Sequence, residues 1–111
     1  MERRVREQDP WQGEQVPRYG RDRKDLSPAV LKEVNETQSR ILQDPYRGDR
    51  KGGTLRNVWM EKFKAENDQW LVAYTLFERI RRVRFLAVGQ HENSYRDVTT
   101  YLGKQKEAFK E

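Results

Sequence analysis

Apolar residues in this chain are gathered into a few short runs, and the densest lies between Trp70 and Gly89. Trp70–Phe77 reads WLVAYTLF, rich in aromatic and branched side chains and too short to span a bilayer. A charged break at Glu78-Arg79 leads into IRRVRFLAVG, where Val83, Phe85 and Ala87 share one parity and Arg82 and Arg84 the other. A period of two marks a strand with one buried face, so the two runs predict a β-hairpin closed by a tight turn and ending at Gly89. Upstream, LRNVWMEKFKA alternates as a further strand, with Trp59 and Phe63 on one face and Val58, Met60, Lys62 and Lys64 on the other. The turn Glu66-Asn67-Asp68-Gln69 joins it to the hairpin.

A helical period precedes these strands. Val30, Leu31, Val34, Ile41 and Leu42 recur on one face, with Lys32, Glu33, Glu36 and Arg40 on the other. Ser27 is a good N-cap, Pro28 suits the first helical position, and Leu26 and Leu31 are spaced for a hydrophobic staple. Asp44-Pro45 closes the helix, because a residue before proline is pushed out of the helical region. Residues 1–15 are polar and mixed in charge, and they read as a flexible N-terminal arm, or as one that docks through Trp11. A short extended piece is expected around Gln15–Tyr19, confined to a sheet edge by Pro17. Residues 45–53, PYRGDRKGG, form a basic loop without the GxxxxGK[ST] spacing of a phosphate cradle, so its glycines are assigned to turn geometry. Residues 93–111 show helical spacing at Tyr95, Val98, Tyr101 or Leu102, and Phe109, with Gly103 as a candidate break.

The predicted fold is α+β. A small twisted antiparallel sheet of three consecutive strands, with a short N-terminal edge strand, is covered by an amphipathic helix and followed by a C-terminal helix. Residues 16–111 form the single domain.

Composition sharpens this picture. At 111 residues the chain supports one modest core. Charged residues make up 37% and hydrophobic residues 34%, so the core must come from the few runs above. The absence of cysteine excludes disulfides and thiolate metal sites, and it favours the cytoplasm for a domain of this size. No segment reads as a signal peptide or a membrane span, so the chain reads as soluble, with no membrane partner. The net charge of +5 points to an acidic partner such as a phosphate backbone. Basic residues concentrate at Arg47, Arg50, Lys51, Arg56, Lys62 and Lys64, and again at Arg79, Arg81, Arg82 and Arg84.

One histidine and no carboxylate cluster at ligand spacing give no support to metal catalysis, and no cofactor is implied. Ser27, Ser39 and Ser94 sit in no nucleophile elbow. RNA cleavage fits the residue types better. It needs a group to take the 2′-hydroxyl proton, cations for the developing phosphorane, and an acid for the leaving oxygen. His91 suits the proton transfers, and Lys62 and Lys64, co-facial on their strand, suit the charge. Tyr95 is placed to stack on a base or to join the core.

Several stretches in order carry a resemblance: the helix closing in LQDP, the basic glycine loop, the strand with alternating lysines, QWLVAY, and GQHENSY. Across residues 19–102 this arrangement resembles the RelE/ParE superfamily of toxins from type II toxin–antitoxin systems, with QWLVAY and GQHENSY closest to its YafQ-like branch. The resemblance implies a small twisted antiparallel sheet with helices on one side and a cognate antitoxin partner. It also implies one of two targets: messenger RNA cut on the ribosome, as in the RelE and YafQ branches, or DNA gyrase, as in the ParE branch. By position, His91 matches the histidine or arginine after the last strand, Tyr95 the aromatic that follows, and Lys62 and Lys64 the lysine pair before the hairpin. Arg82 and Arg84 are further helpers, and Arg50, Lys51 and Arg56 join them as expected RNA-binding residues. Two positions depart from the pattern: Leu71 stands where RelE-like members commonly carry arginine, and Gln69 where the YafQ-like branch carries aspartate. The reading is therefore a ribosome-dependent, metal-independent endoribonuclease, with a non-catalytic gyrase inhibitor and a basic nucleic-acid-binding module as alternatives.

Overall fold

The computed structural model describes residues 9–51 and 57–91, together with Arg96, Thr100 and Lys110. The long helix starts where its capping residues dictate. Ser27 stays extended and its Oγ accepts the Val30 N–H at 3.3 Å, while Pro28 occupies the first turn, where its missing donor costs nothing. The Ser27 hydroxyl also donates to Glu66, which ties this end of the helix to a turn of the sheet. This helix, Pro28–Gln43, buries Val30, Val34, Thr37 and Ile41 against the sheet and stops at Asp44, before Pro45.

A shorter helix precedes it and corrects one expectation. Pro17–Lys24 is helical, so the extended piece placed around Gln15–Tyr19 does not exist there. Pro17 stands at the start of the helix, the same use the chain makes of Pro28. The N-terminal strand lies upstream, at Gln12–Gln15. In chain order the elements are β1 (Gln12–Gln15), α1 (Pro17–Lys24), α2 (Pro28–Gln43), β2 (Asp49–Arg50), β3 (Trp59–Ala65), β4 (Asp68–Phe77) and β5 (Arg82–Gln90). Single turns of 3-10 helix at Pro45–Arg47 and Glu78–Ile80 fall between them.

The sheet has the order β1-β5-β4-β3-β2. The three consecutive strands β3, β4 and β5 pair antiparallel as the alternation predicts, but β1 runs parallel to β5, so the sheet is mixed. Glu66 and Asn67, both at positive φ (51° and 64°), make the two-residue turn between β3 and β4. The β4–β5 connection is longer than a tight turn, running through the Glu78–Ile80 turn to Arg81 at φ 52°.

A bulge interrupts the β4–β5 ladder. Ala73 pairs with Ala87 and Tyr74 with Phe85, which leaves Leu86 as the extra residue. Leu86 and Ala87 therefore face the same side, and Val88, rather than Ala87, continues the Val83–Phe85 face. Beyond Phe85 the free edge of β5 is closed by α1. The Val16 N–H donates to Phe85 O at 3.1 Å, and Asp22 Oδ2 accepts the Val88 N–H at 3.2 Å.

Both faces of the sheet are buried. The helices cover one, where Phe63, Val72, Tyr74, Val83, Phe85 and Val88 meet Tyr19 and the α2 stripe. On the other, Val58, Met60, Leu71, Ala73, Leu86 and Ala87 form a second cluster. The loop after α2 is clamped to the first face by Tyr74, whose hydroxyl donates to Pro45 O at 2.8 Å and accepts the Gly48 N–H at 3.2 Å. Gly48 has an ordinary φ of −73°, so its role is close approach and not turn geometry: a Cβ there would stand 2.5 Å from Tyr74 Oη.

Part of the expected N-terminal arm belongs to this architecture. Trp11 is buried, with the Arg81 guanidinium 4.7 Å from its ring centroid and Tyr46 edge-on at 5.9 Å. Arg81 Nε donates to Asp9 O at 2.7 Å. Residues 1–8 of that arm lie outside the described residues, as does most of the C-terminal helix expected over 93–111; Arg96 and Thr100 within it are helical. Among the described residues no helix is long and apolar enough to cross a membrane.

Candidate functional site

The face of the sheet opposite the helices carries the candidate chemistry at one end, where β3 and β5 finish and β4 begins. Strand register builds the group row by row. Lys64 pairs with Gln69, and the next row runs Lys62, Leu71, Gly89. Directly paired residues point the same way, so the two lysines flank one patch. Both are exposed, and neither makes a hydrogen bond or ion pair among the described residues.

The last residue of β5 paired with β4 is Gln90, opposite Trp70. His91 follows it, in line with Gln69, at the point where the backbone turns helical. Two strand spacings separate its backbone from that of Lys64, or about 10 Å. His91 is half-buried. The arrangement therefore brings an imidazole and two exposed ammonium groups to one end of one face. Leu71 lies fully buried between Lys62 and Gly89, where RelE-like members commonly carry arginine, so no cation rises from the centre of this row.

A residue pair absent from the sequence reading fixes the exit of β5. Gln90 Nε2 donates to Asp68 Oδ2 at 3.2 Å, across the helix-facing side of the same end. The bond joins the start of β4 to the residue from which His91 departs. Nothing in the local sequence signals it, because it depends on the register that sets Gln90 opposite Trp70.

The other predicted residues lie elsewhere. Arg82 and Arg84 share the lysines' face but stand at its far end, and the seven residues from Arg84 to His91 span about 20 Å. There Glu14 of β1 holds both, with Arg84 Nη2 at 3.2 Å and Arg82 Nε at 3.9 Å. The Arg84 guanidinium also lies 4.5 Å from the Phe77 ring centroid, and its Nη1 donates to Lys110 O at 2.6 Å. Arg50 pairs with Trp59 on the helix-facing side, with its guanidinium 5.9 Å from the indole, about 17 Å along β3 from Lys64. Lys51 continues from β2, its N–H donating to Val58 O at 2.8 Å. The structure thus separates these four from the group at His91. Arg56 and Tyr95 lie outside the described residues.

Residues 14–99 match the family model described as a ParE-like toxin of type II bacterial toxin–antitoxin systems. Solved structures share the fold. A toxin–antitoxin complex, RelBE2 from Mycobacterium tuberculosis, aligns with a TM-score of 0.67 at 19% identity, covering 75% of this chain and 100% of that one. A doubly arginine-substituted variant of the Escherichia coli toxin RelE in the free state aligns with a TM-score of 0.72 at 15% identity, covering 88% and 99%. The archaeal RelE–RelB complex from Pyrococcus horikoshii aligns at 0.54 and 10% identity, covering 74% and 96%. No curated protein matches the sequence.

Proposed function

The chain belongs to the ParE-like toxins of type II bacterial toxin–antitoxin systems, and from that membership we propose that it arrests translation by cutting messenger RNA on the ribosome. The observation that carries the reading is that His91 lies at the same end of one sheet face as Lys62 and Lys64, which have no partner among the described residues. Those groups supply the base and the cations that intramolecular RNA cleavage needs, and the reaction can proceed without a metal. His91 takes the proton of the 2′-hydroxyl beside the scissile phosphate. The O2′–P bond forms as the P–O5′ bond breaks, and the departing O5′ takes a proton from solvent water. Lys62 and Lys64 neutralise the charge that builds on the non-bridging oxygens, and Tyr95 stacks on a base of the bound codon. The products are a 2′,3′-cyclic phosphate and a 5′-hydroxyl.

An antitoxin is the proposed regulator. The structural neighbours include toxins in complex with their antitoxins, and a basic surface suits an acidic segment that wraps it. The ParE-like character of the family favours a second reading, a non-catalytic inhibitor of DNA gyrase. Induced expression in a bacterial host, with 5′ ends mapped on cellular mRNA, separates the two. The nuclease predicts breaks inside translated codons that vanish in His91→Ala. Growth arrest with DNA-damage signalling and intact mRNA would replace it with the gyrase reading.

A further inference from the structure

The same end of the sheet carries a second pair of cations, supplied by α1. This helix follows β1, which runs parallel to β5, and it continues along the free edge of β5. The bond between Asp22 and the Val88 N–H fixes its last turn beside the end of that strand. The link from α1 to α2 then crosses the end of the sheet, because Ser27 reaches Glu66 at the β3–β4 turn. Arg21 and Lys24 therefore stand on the helix side of the rim whose other side carries Lys62 and Lys64, with His91 at the rim itself.

What the neighbouring groups do isolates these two. Of the four basic residues on α1, Arg18 faces Asp22 at 3.8 Å, and Arg23 Nη1 donates to Gln38 Oε1 at 2.8 Å. Arg21 and Lys24 are exposed and make no hydrogen bond or ion pair among the described residues. They are three apart, so they lie side by side on the helix. Among the described residues, the carboxylates at this end are mostly engaged elsewhere: Asp22 with Val88, Glu66 with Ser27, and Asp68 with Gln90. Asp25, at the end of α1, is exposed.

We propose that Arg21 and Lys24 bind phosphates of the RNA strand flanking the scissile bond, so that the strand passes over the end of the sheet from the lysine face to α1. The inference rests on the proposed nuclease function and names a backbone contact for it. Arg21 and Lys24 hold and position the strand and take no part in the bond exchange.

The test uses the full chain with ribosomes programmed by a short messenger RNA, comparing wild type, Arg21→Gln/Lys24→Gln, and Arg79→Gln. Arg79 lies in the Glu78–Ile80 turn at the opposite end, and its variant controls for loss of a basic charge away from the rim, one charge against the two of the double variant. A bound single-strand phosphate contributes about 0.7 to the slope of log K against log salt, so the double variant should flatten that slope by about 1.4. Its KM should rise about tenfold with kcat held, while Arg79→Gln keeps the wild-type slope. A double variant with unchanged slope and KM, beside a wild type that cleaves, overturns the inference while leaving the nuclease in place. A loss confined to antitoxin binding would assign Arg21 and Lys24 to a protein interface and also overturn it. A wild type that does not cleave removes the proposed function and this inference together.

Discussion

Tyr74→Phe isolates the contribution of one hydroxyl to the loop that follows α2. The Tyr74 ring is fully buried and packs against Phe85 at a centroid distance of 6.4 Å, contacts that phenylalanine keeps. No cavity term enters, so the cost is that of two stranded backbone groups. Pro45 is buried, and its carbonyl loses the donor at 2.8 Å; Gly48 is half-buried, and its N–H loses the acceptor at 3.2 Å. An unsatisfied buried group costs about 1–3 kcal/mol, and water reaches Gly48 more readily than Pro45, so the sum is about 2 kcal/mol. For a domain of this size that lowers Tm by about 10 °C. Urea and thermal unfolding followed by circular dichroism read both quantities. Tyr46→Phe is the internal control, because its hydroxyl donates to Glu78 on the surface at 2.9 Å and its loss should cost less than about 0.5 kcal/mol. A Tyr74→Phe variant as stable as Tyr46→Phe would refute the clamp.

Three other perturbations probe the same architecture. Gly48→Ala sets a methyl 2.5 Å from Tyr74 Oη and 3.1 Å from Met60 O, an overpacking cost of about 1–3 kcal/mol. Because the closest atom is that hydroxyl, the cost should shrink in a Tyr74→Phe background, a coupling that a double-mutant cycle in urea would measure. Burial raises the hydroxyl pKa of Tyr19, against a smaller lowering by Arg23, and burial likewise raises that of Tyr74. The folded chain thus holds protons that the unfolded chain releases above about pH 10, so the contribution of these two tyrosines is constant below that pH and stability should fall above it. Urea midpoints between neutral and alkaline pH read this, and Tyr74→Phe should reduce the fall. Trp11→Ala should cost about 3–5 kcal/mol by urea unfolding, because the buried indole packs between Arg81 and Tyr46, and a cost near zero would refute its place in the core.

The legible parts of the fold are those whose signals are local. Ser27-Pro28 and Asp44-Pro45 bracket α2 within one residue, because a cap and a pre-proline constraint act on their own neighbours. Alternation locates β3 and β5, and a continuous apolar run locates β4, for the same reason. The register shift at Leu86 is invisible to parity, which counts residues and cannot see one that is skipped. β1 has no apolar alternation, and its partner lies some seventy residues away, so nothing near Gln12–Gln15 announces it. Pro17 suits both a sheet edge and the first turn of a helix, and the chain uses the second.

The candidate site divides along the same line. Parity puts Lys62 and Lys64 on one face, and the length of the hairpin brings His91 to their end of it. Parity also puts Arg82 and Arg84 on that face, but it names a face without naming an end. Their capture by Glu14 requires the parallel pairing of β1, which only the folded chain reveals. Arg21 and Lys24 carry no signal in the sequence, because without α1 the stretch RDRK has no position relative to His91.

Single-turnover cleavage of messenger RNA on purified programmed ribosomes, comparing wild type with His91→Ala and Lys62→Ala/Lys64→Ala, bears most directly on the claim that these three residues form a cleaving group. The account predicts ribosome binding by all three proteins, a 2′,3′-cyclic phosphate product from the wild type, and rates about a hundredfold lower or more in each variant. Folded variants that cut at the wild-type rate, or a wild type that binds and leaves the message intact, would contradict it.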